Sequence, residues 1–269
     1  MNNTMDFGIP TLIENSTAEN SAELCHSLGL HFVELNMNLP QYQTECIDLR
    51  YLKDIEDRYG IYYTIHLDEN LNICDFNKRV VEAYTETVLE TIEIAKRLSA
   101  PVLNMHFHEG VYFTLPDRKA YLLKQYKNEY IEMLVRFRDI CEAAIGDSDI
   151  KICIENTRSF MLDFVEEGIG LLLQSPAFGL TFDTGHDAGS SFGQYPLIER
   201  NIGRLCHMHL HDYSKDKGDH LPIGEGELDI DKYLNLAERH DCRVLLETKT
   251  VDGVRKSAQW IKKNLTKKG

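Results

Sequence analysis

The chain of 269 residues carries 29 Lys and Arg against 43 Asp and Glu, a formal net charge of −14. A hydrophobic content of 43% excludes intrinsic disorder, and no apolar run nears the roughly 20 residues of a membrane-spanning helix. The acidic balance disfavours nucleic acid, whose binding draws on Lys and Arg, and favours small molecules and metal ions as partners.

In chain order, short apolar runs alternate with stretches of helical period. The runs are 6–13, 31–36, 61–67, 101–107, 150–156, 178–183, 204–210 and 242–248. Amphipathic segments lie between them at 17–29, 47–59, 77–99, 119–145, 161–174, 230–240 and 252–265, with a shorter helix near 195–202. Strand and helix in alternation imply a parallel sheet with helical crossovers. Eight such units match a (β/α)8 TIM barrel of the α/β class, read as a single domain over 1–269; a doubly wound open sheet is the alternative. The stretches 107–118 and 211–227 are too long for plain connections, and both follow strand ends, where a barrel builds its active site. The N-terminus has no basic region followed by an apolar one, so no signal peptide is read there. The seven cysteines form no Cys-x-x-Cys pair, which suits reduced thiols and a cytoplasmic location. Cys153 and Cys206 read as small core residues. Exposed barrel helices leave a homo-oligomer open.

Side chains alternate along a strand, and the polar set is regular. Asn104, His106 and His108 share one face against Leu103, Met105 and Phe107. Glu155 falls opposite Ile152 and Ile154, and Asp183 opposite Leu180 and Phe182. His207, His209 and His211 oppose Cys206, Met208 and Leu210; His66 opposes Ile65 and Leu67; Glu247 opposes Leu246. With the apolar face on the helices, His66, His106, Glu155, Asp183, His209 and Glu247 converge at one mouth. Glu34 has the parity to join them. Three carboxylates and three imidazoles need a cation or extensive hydrogen bonding there. Nitrogen and oxygen donors without thiolate suit Zn, Mn, Co or Fe.

The segments IENT (154–157), FDTGHDAGSSFG (182–193), MHLHD (208–212), DHLPIGEGELD (219–229) and LLET (245–248), taken in order, resemble the xylose isomerase-like TIM barrel superfamily. Its members include sugar isomerases and epimerases, inosose-processing enzymes and the endonuclease IV group, also called AP endonuclease family 2. The resemblance implies one divalent metal held by Glu155, Asp183, His209 and Glu247. It makes Glu155 and Glu247 the catalytic acid and base beside a metal-polarised carbonyl. It also implies a substrate contact at His186 and one at Lys215, where some epimerases carry arginine.

The endonuclease IV-like enzymes bind three zinc ions and act on abasic DNA. Their first metal takes two further histidines, matched by His66 and His106. Two ligands of their third metal are matched by His186 and His220, and its aspartate falls on Gly218, with Asp219 adjacent. His108 offers a rival alignment to His106. The expectation is therefore an isomerase or epimerase of a small sugar, sugar phosphate or polyol, with a second metal or substrate hydroxyls at His66, His106, His186 and His220. The alternatives are a zinc phosphodiesterase, a metal-dependent polyol dehydratase or lyase, and a non-catalytic binding barrel.

Overall fold

Eight short parallel strands close into a barrel: β1 (Phe7–Pro10), β2 (Phe32–Asn36), β3 (Tyr62–His66), β4 (Val102–His106), β5 (Lys151–Glu155), β6 (Phe178–Asp183), β7 (Leu205–Leu210) and β8 (Arg243–Leu246). Each pairs with its neighbours in sequence, and β8 pairs with β1. That closure decides for the TIM barrel over the open sheet. The computed structural model describes residues 5–265, so residues 1–4, part of the N-terminus read for a signal peptide, lie outside the described residues.

Two-residue alternation sorts the strands as expected. Leu35, Ile65, Leu103, Met105, Ile152, Ile154, Leu180, Phe182, Met208 and Leu246 are buried against the surrounding helices. Those helices come from amphipathic segments with explicit ends. Helix Leu49–Tyr59 buries Leu52 and Ile55 and starts where the Asp48 carboxylate accepts the Tyr51 N–H. It stops at Gly60, whose φ of 64° is readily reached only without a side chain. At the barrel floor Phe32 lies over Gly8, where an added Cβ would sit within the ring; the missing side chain makes room for the phenyl plug.

Four features depart from the sequence reading. Residues 119–121 form a strand paired with Tyr112–Thr114, so the long helix predicted from 119 begins at Lys127 after a short turn of helix. The stretch 211–227 contains a second hairpin, Asp212–Ser214 against Gly218–Leu221, and a short helix, Thr184–Gly189, follows β6. Cys206 does not share the outer face of Met208 and Leu210. The pairing of β6 with β7 slips between Leu180 and Thr181, and the slip turns Cys206 inward over Gly179, with its sulfur 3.0 Å from that of Cys153. No described helix is long and apolar enough to cross a membrane.

Candidate metal centre

Four strand ends bring Glu155, Asp183, His209 and Glu247 together with one donor atom each inside a 4.8 Å cluster. Three of the four are essentially without solvent contact, and Glu247, one residue past β8, is 13% exposed. His209 Nδ1 lies 3.0 Å from Glu247 Oε2 and 3.3 Å from Glu155 Oε2. Neither His209 Nδ1 nor Glu247 Oε2 makes a hydrogen bond, although both are buried. Buried lone pairs converging without hydrogen bonds are costly, and a cation among them removes the cost. The donor set of three carboxylates and one imidazole suits a divalent ion of the Mn, Fe, Co or Zn type.

The charge balance agrees. Burial by itself raises a carboxyl's affinity for its proton, yet His209 and His106 hold Glu155 well below the ordinary range, and His209 and His220 do so for Glu247. Burial also works against protonated imidazoles, but the carboxylates overcome it: His209 is pushed well up, His66 to about 9 and His186 to about 10. The protons on these imidazoles balance the carboxylates when no cation is there to do so.

Two flanks border this cluster. On one, His66 Nε2 and His106 Nε2 lie 3.5 and 3.4 Å from Glu155 Oε2. His66 donates Nδ1–H to the Leu67 carbonyl at 2.7 Å, so Nε2, which faces Glu155, carries the lone pair once the ring is neutral. Asn104 donates to the same Glu155 oxygen. His106 is thus the histidine of its strand that reaches the site. His108 lies beyond β4, with Nε2 2.6 Å from the Glu69 carbonyl.

On the other flank, His211 and His220 stack with ring centroids 4.2 Å apart and planes within 5°. The His220 backbone N–H donates to His211 Nδ1 at 2.7 Å, so the ring's proton sits on Nε2, 3.0 Å from Asp183 Oδ2. Both His211 nitrogens are occupied. An added Cβ at Gly185 would overlap the His211 ring, so glycine is what lets the imidazole pass. His220 itself has a φ of 57°, a left-handed conformation that strains a residue with a side chain.

Backbone-directed side chains hold the frame. Asn156 accepts the Asp183 N–H and donates to the Asp183 carbonyl and to Gln194 Oε1, while Asp183 in turn accepts the His186 N–H. His186 donates Nδ1–H to the Asn156 carbonyl at 3.1 Å. Asp212 accepts the N–H groups of Gly224, Gly226 and Leu228, which folds the GEGEL segment against the mouth.

The structure brings together seven of the nine residues singled out from sequence within one connected cluster: Glu155, Asp183, His209, Glu247, His66, His106 and His186. His220 joins at the edge, 3.5 Å from Glu247 Oε1. Lys215 occupies the exposed turn of the 212–221 hairpin and makes no ion pair with these carboxylates. The lysine that does is Lys249, with Nζ 3.0 Å from Glu247 Oε1; its place two residues past Glu247 was the available signal. Sequence reasoning also left His207, His211 and Asn156 without roles. Glu34 does face inward, but it lies behind His209, 3.1 Å from Nε2, on the side away from the other carboxylates.

Beside the cluster opens a pocket of about 390 Å3, with His106, Ser159, His186, Ser190, Gln194 and Arg158 on its walls. A larger groove of about 690 Å3 lies outside the barrel between helices Lys78–Leu98 and Lys127–Ile145, far in the fold from these groups.

This closed parallel barrel, with its carboxylates and imidazoles gathered at the strand ends, has close counterparts. A family model for the xylose isomerase-like TIM barrel, AP endonuclease family 2, matches residues 22–264, and the chain belongs to that family. Uncharacterized protein MJ1311 of Methanocaldococcus jannaschii is 28% identical over 230 residues, covering 81% of this chain and 75% of that protein. Among solved structures, a D-tagatose 3-epimerase-like protein superposes with a TM-score of 0.78 at 23% identity, covering 97% of each chain. The IOLI protein, solved with a bound zinc atom, superposes with a TM-score of 0.70 at 17% identity, covering 98% of this chain and 97% of that one.

Proposed function

We propose that the protein is a divalent-metal-dependent isomerase or epimerase acting on a small sugar, sugar phosphate or polyol. The observation that carries this reading is the convergence of Glu155 Oε2 and Glu247 Oε2 on His209 Nδ1, at 3.3 and 3.0 Å, with Asp183 completing the set. Glu155, Asp183, His209 and Glu247 would hold the ion. Bound there, a divalent ion polarises a carbonyl and neighbouring hydroxyl and so acidifies the C–H between them.

The chain's own groups supply the proton transfer. Glu155 and Glu247 come from opposite sides of the cluster, on β5 and just past β8, so one removes the proton and the other returns one across the substrate carbon. His186, with Nδ1–H committed to Asn156, presents Nε2 to a substrate hydroxyl, as a donor while the ring is protonated. The 390 Å3 pocket is of small-molecule size and carries hydroxyl and amide groups suited to a sugar. The epimerase-like neighbour supports the same substrate class. His66 and His106 give a second ion a place beside Glu155, or bind substrate hydroxyls. A soluble cytoplasmic enzyme, free or as a homo-oligomer, fits this reading.

The His66–His106–Glu155 cluster favours a second reading, a zinc phosphodiesterase of the AP endonuclease type. The third-ion position argues against it. Gly218 offers no ligand, and the adjacent Asp219 is turned to His220 Nδ1 at 3.0 Å.

The test is metal content per chain by elemental mass spectrometry on protein purified without chelator, followed by a ketose and inosose screen. About one or two Mn, Co, Zn or Fe ions with epimerisation supports the proposal. Three zinc ions with nicking of abasic DNA supports the second reading. No metal after reloading sinks both.

A further inference from the structure

Behind His209 lies a carboxylate that the proposed chemistry does not use. Glu34, on β2, is 1% exposed and pairs with no lysine or arginine among the described residues; its neighbours are Thr64, His207 and His209. Thr64, its register partner on β3, donates Oγ1–H to Oε2 at 2.8 Å, and His207 donates Nε2–H to the same oxygen at 3.0 Å. Both donors hold Oε2, and Oε1 is left facing His209 Nε2 at 3.1 Å. That contact is close without being aligned as a hydrogen bond.

A buried carboxylate is costly unless its charge has a use. An ionised carboxylate has only lone pairs to offer, so a nitrogen at 3.1 Å is held in its protonated form. A neutral imidazole carries one N–H. If Glu34 keeps that proton on Nε2, Nδ1 is bare and faces Glu155 and Glu247. We propose that Glu34 is a positioning residue: it fixes the tautomer of His209 so that Nδ1, and not Nε2, meets the cation. His207 and Thr64 serve to hold Glu34 in place. The inference rests on the metal centre proposed above and adds to it a group that touches neither ion nor substrate. His207 and His209 together with Glu34 are close enough to suggest a metal site of their own. However, His207 Nε2 is spent on Glu34, so that trio works as a hydrogen-bonded support.

The experiment uses full-length protein with isotope-labelled histidine, loaded with NMR-active cadmium as the probe. Scalar coupling from cadmium to His209 Nδ1, with the proton on Nε2, is the expected result. Coupling to Nε2 overturns the inference without touching the metal centre, and needs no variant. In parallel, Glu34→Gln can keep its carbonyl under the Thr64 and His207 donors but then turns an amide N–H toward His209 Nε2, where the carboxylate had offered a lone pair. Its cadmium affinity, measured by chelator competition, falls by about 10–100-fold, the range for removal of an outer-shell partner. A purely structural role for Glu34 would lower the melting temperature of the metal-free variant and leave the affinity of the folded fraction unchanged, which also overturns the inference. Wild-type protein that takes up no cadmium overturns the centre itself, a result separate from either of these.

Discussion

The two flanks of the Glu155–Asp183–His209–Glu247 cluster are both built from pairs of histidines, yet they differ in where the ring protons sit. On the His66 side, His66 gives its Nδ1 proton to a main-chain carbonyl and turns Nε2, the lone-pair nitrogen of the neutral ring, toward Glu155. On the His211 side, a main-chain N–H takes the lone pair and the ring's own proton goes to Asp183. One backbone group has been exchanged for another, an acceptor for a donor, and the imidazole changes from a candidate ligand into a support for a carboxylate. Counting histidines near a carboxylate therefore overstates what a site can bind; the second partner of each ring decides.

Glu155 is the residue on which this difference bears most heavily, because it faces the central cluster and the His66 flank alike. Glu155→Gln is expected to lower metal content per chain at both positions. Turnover on the sugar found by screening should fall by at least about 100-fold, the low end for loss of a general acid or base. Unchanged metal content by elemental mass spectrometry would break the assignment of Glu155 to both. A narrower effect is expected for His106→Ala. The tight ion stays, while affinity for a second ion drops by at least about 10-fold, the low end for loss of even an outer-shell partner. Titration with a metal indicator separates the two. Loss of the first ion would mean that the His66 flank belongs to the main centre.

The central cluster was legible in the sequence for a simple reason. Strand side chains repeat every two residues, so Glu155, Asp183, His209 and Glu247 could be placed on one face by parity before any coordinates. The same rule failed at Cys206, where a slip in pairing between β6 and β7 reverses the parity for one residue. It could not reach the flanks at all. The proton on His211 depends on the backbone of His220, nine residues away around a hairpin read as a long loop. Glu34 had the right parity, but whether it faces the ion or the back of His209 depends on barrel curvature, which no local pattern encodes. His106 against His108 was settled by where β4 ends, and strand ends are the least certain feature of a sequence reading.

The His211 flank gives the remaining predictions, smaller in size and opposite in kind. His211→Phe keeps a flat ring beside His220 but removes the acceptor of the His220 N–H and a donor to Asp183. Each buried polar group left without its partner costs about 1–3 kcal/mol. Thermal unfolding of the metal-free protein should register that loss, while the number of ions per chain stays the same. A His211 that binds metal directly would instead lose an ion on substitution, and the contrast between the flanks would collapse.

His220→Gly is the mildest change of the series. It relieves a left-handed φ of 57° that glycine adopts freely, and it keeps the backbone N–H that sets the His211 tautomer. Lost are the ring stack and the 3.5 Å approach to Glu247. Relief and loss are of similar size, so stability should move by no more than roughly 1 kcal/mol. The ion count should hold, and any change should appear in KM for the sugar, since the His220 ring borders the mouth. A variant that keeps its KM but loses an ion would place a ligand at His220. The lone pair missing from His211 would then have been supplied by its neighbour.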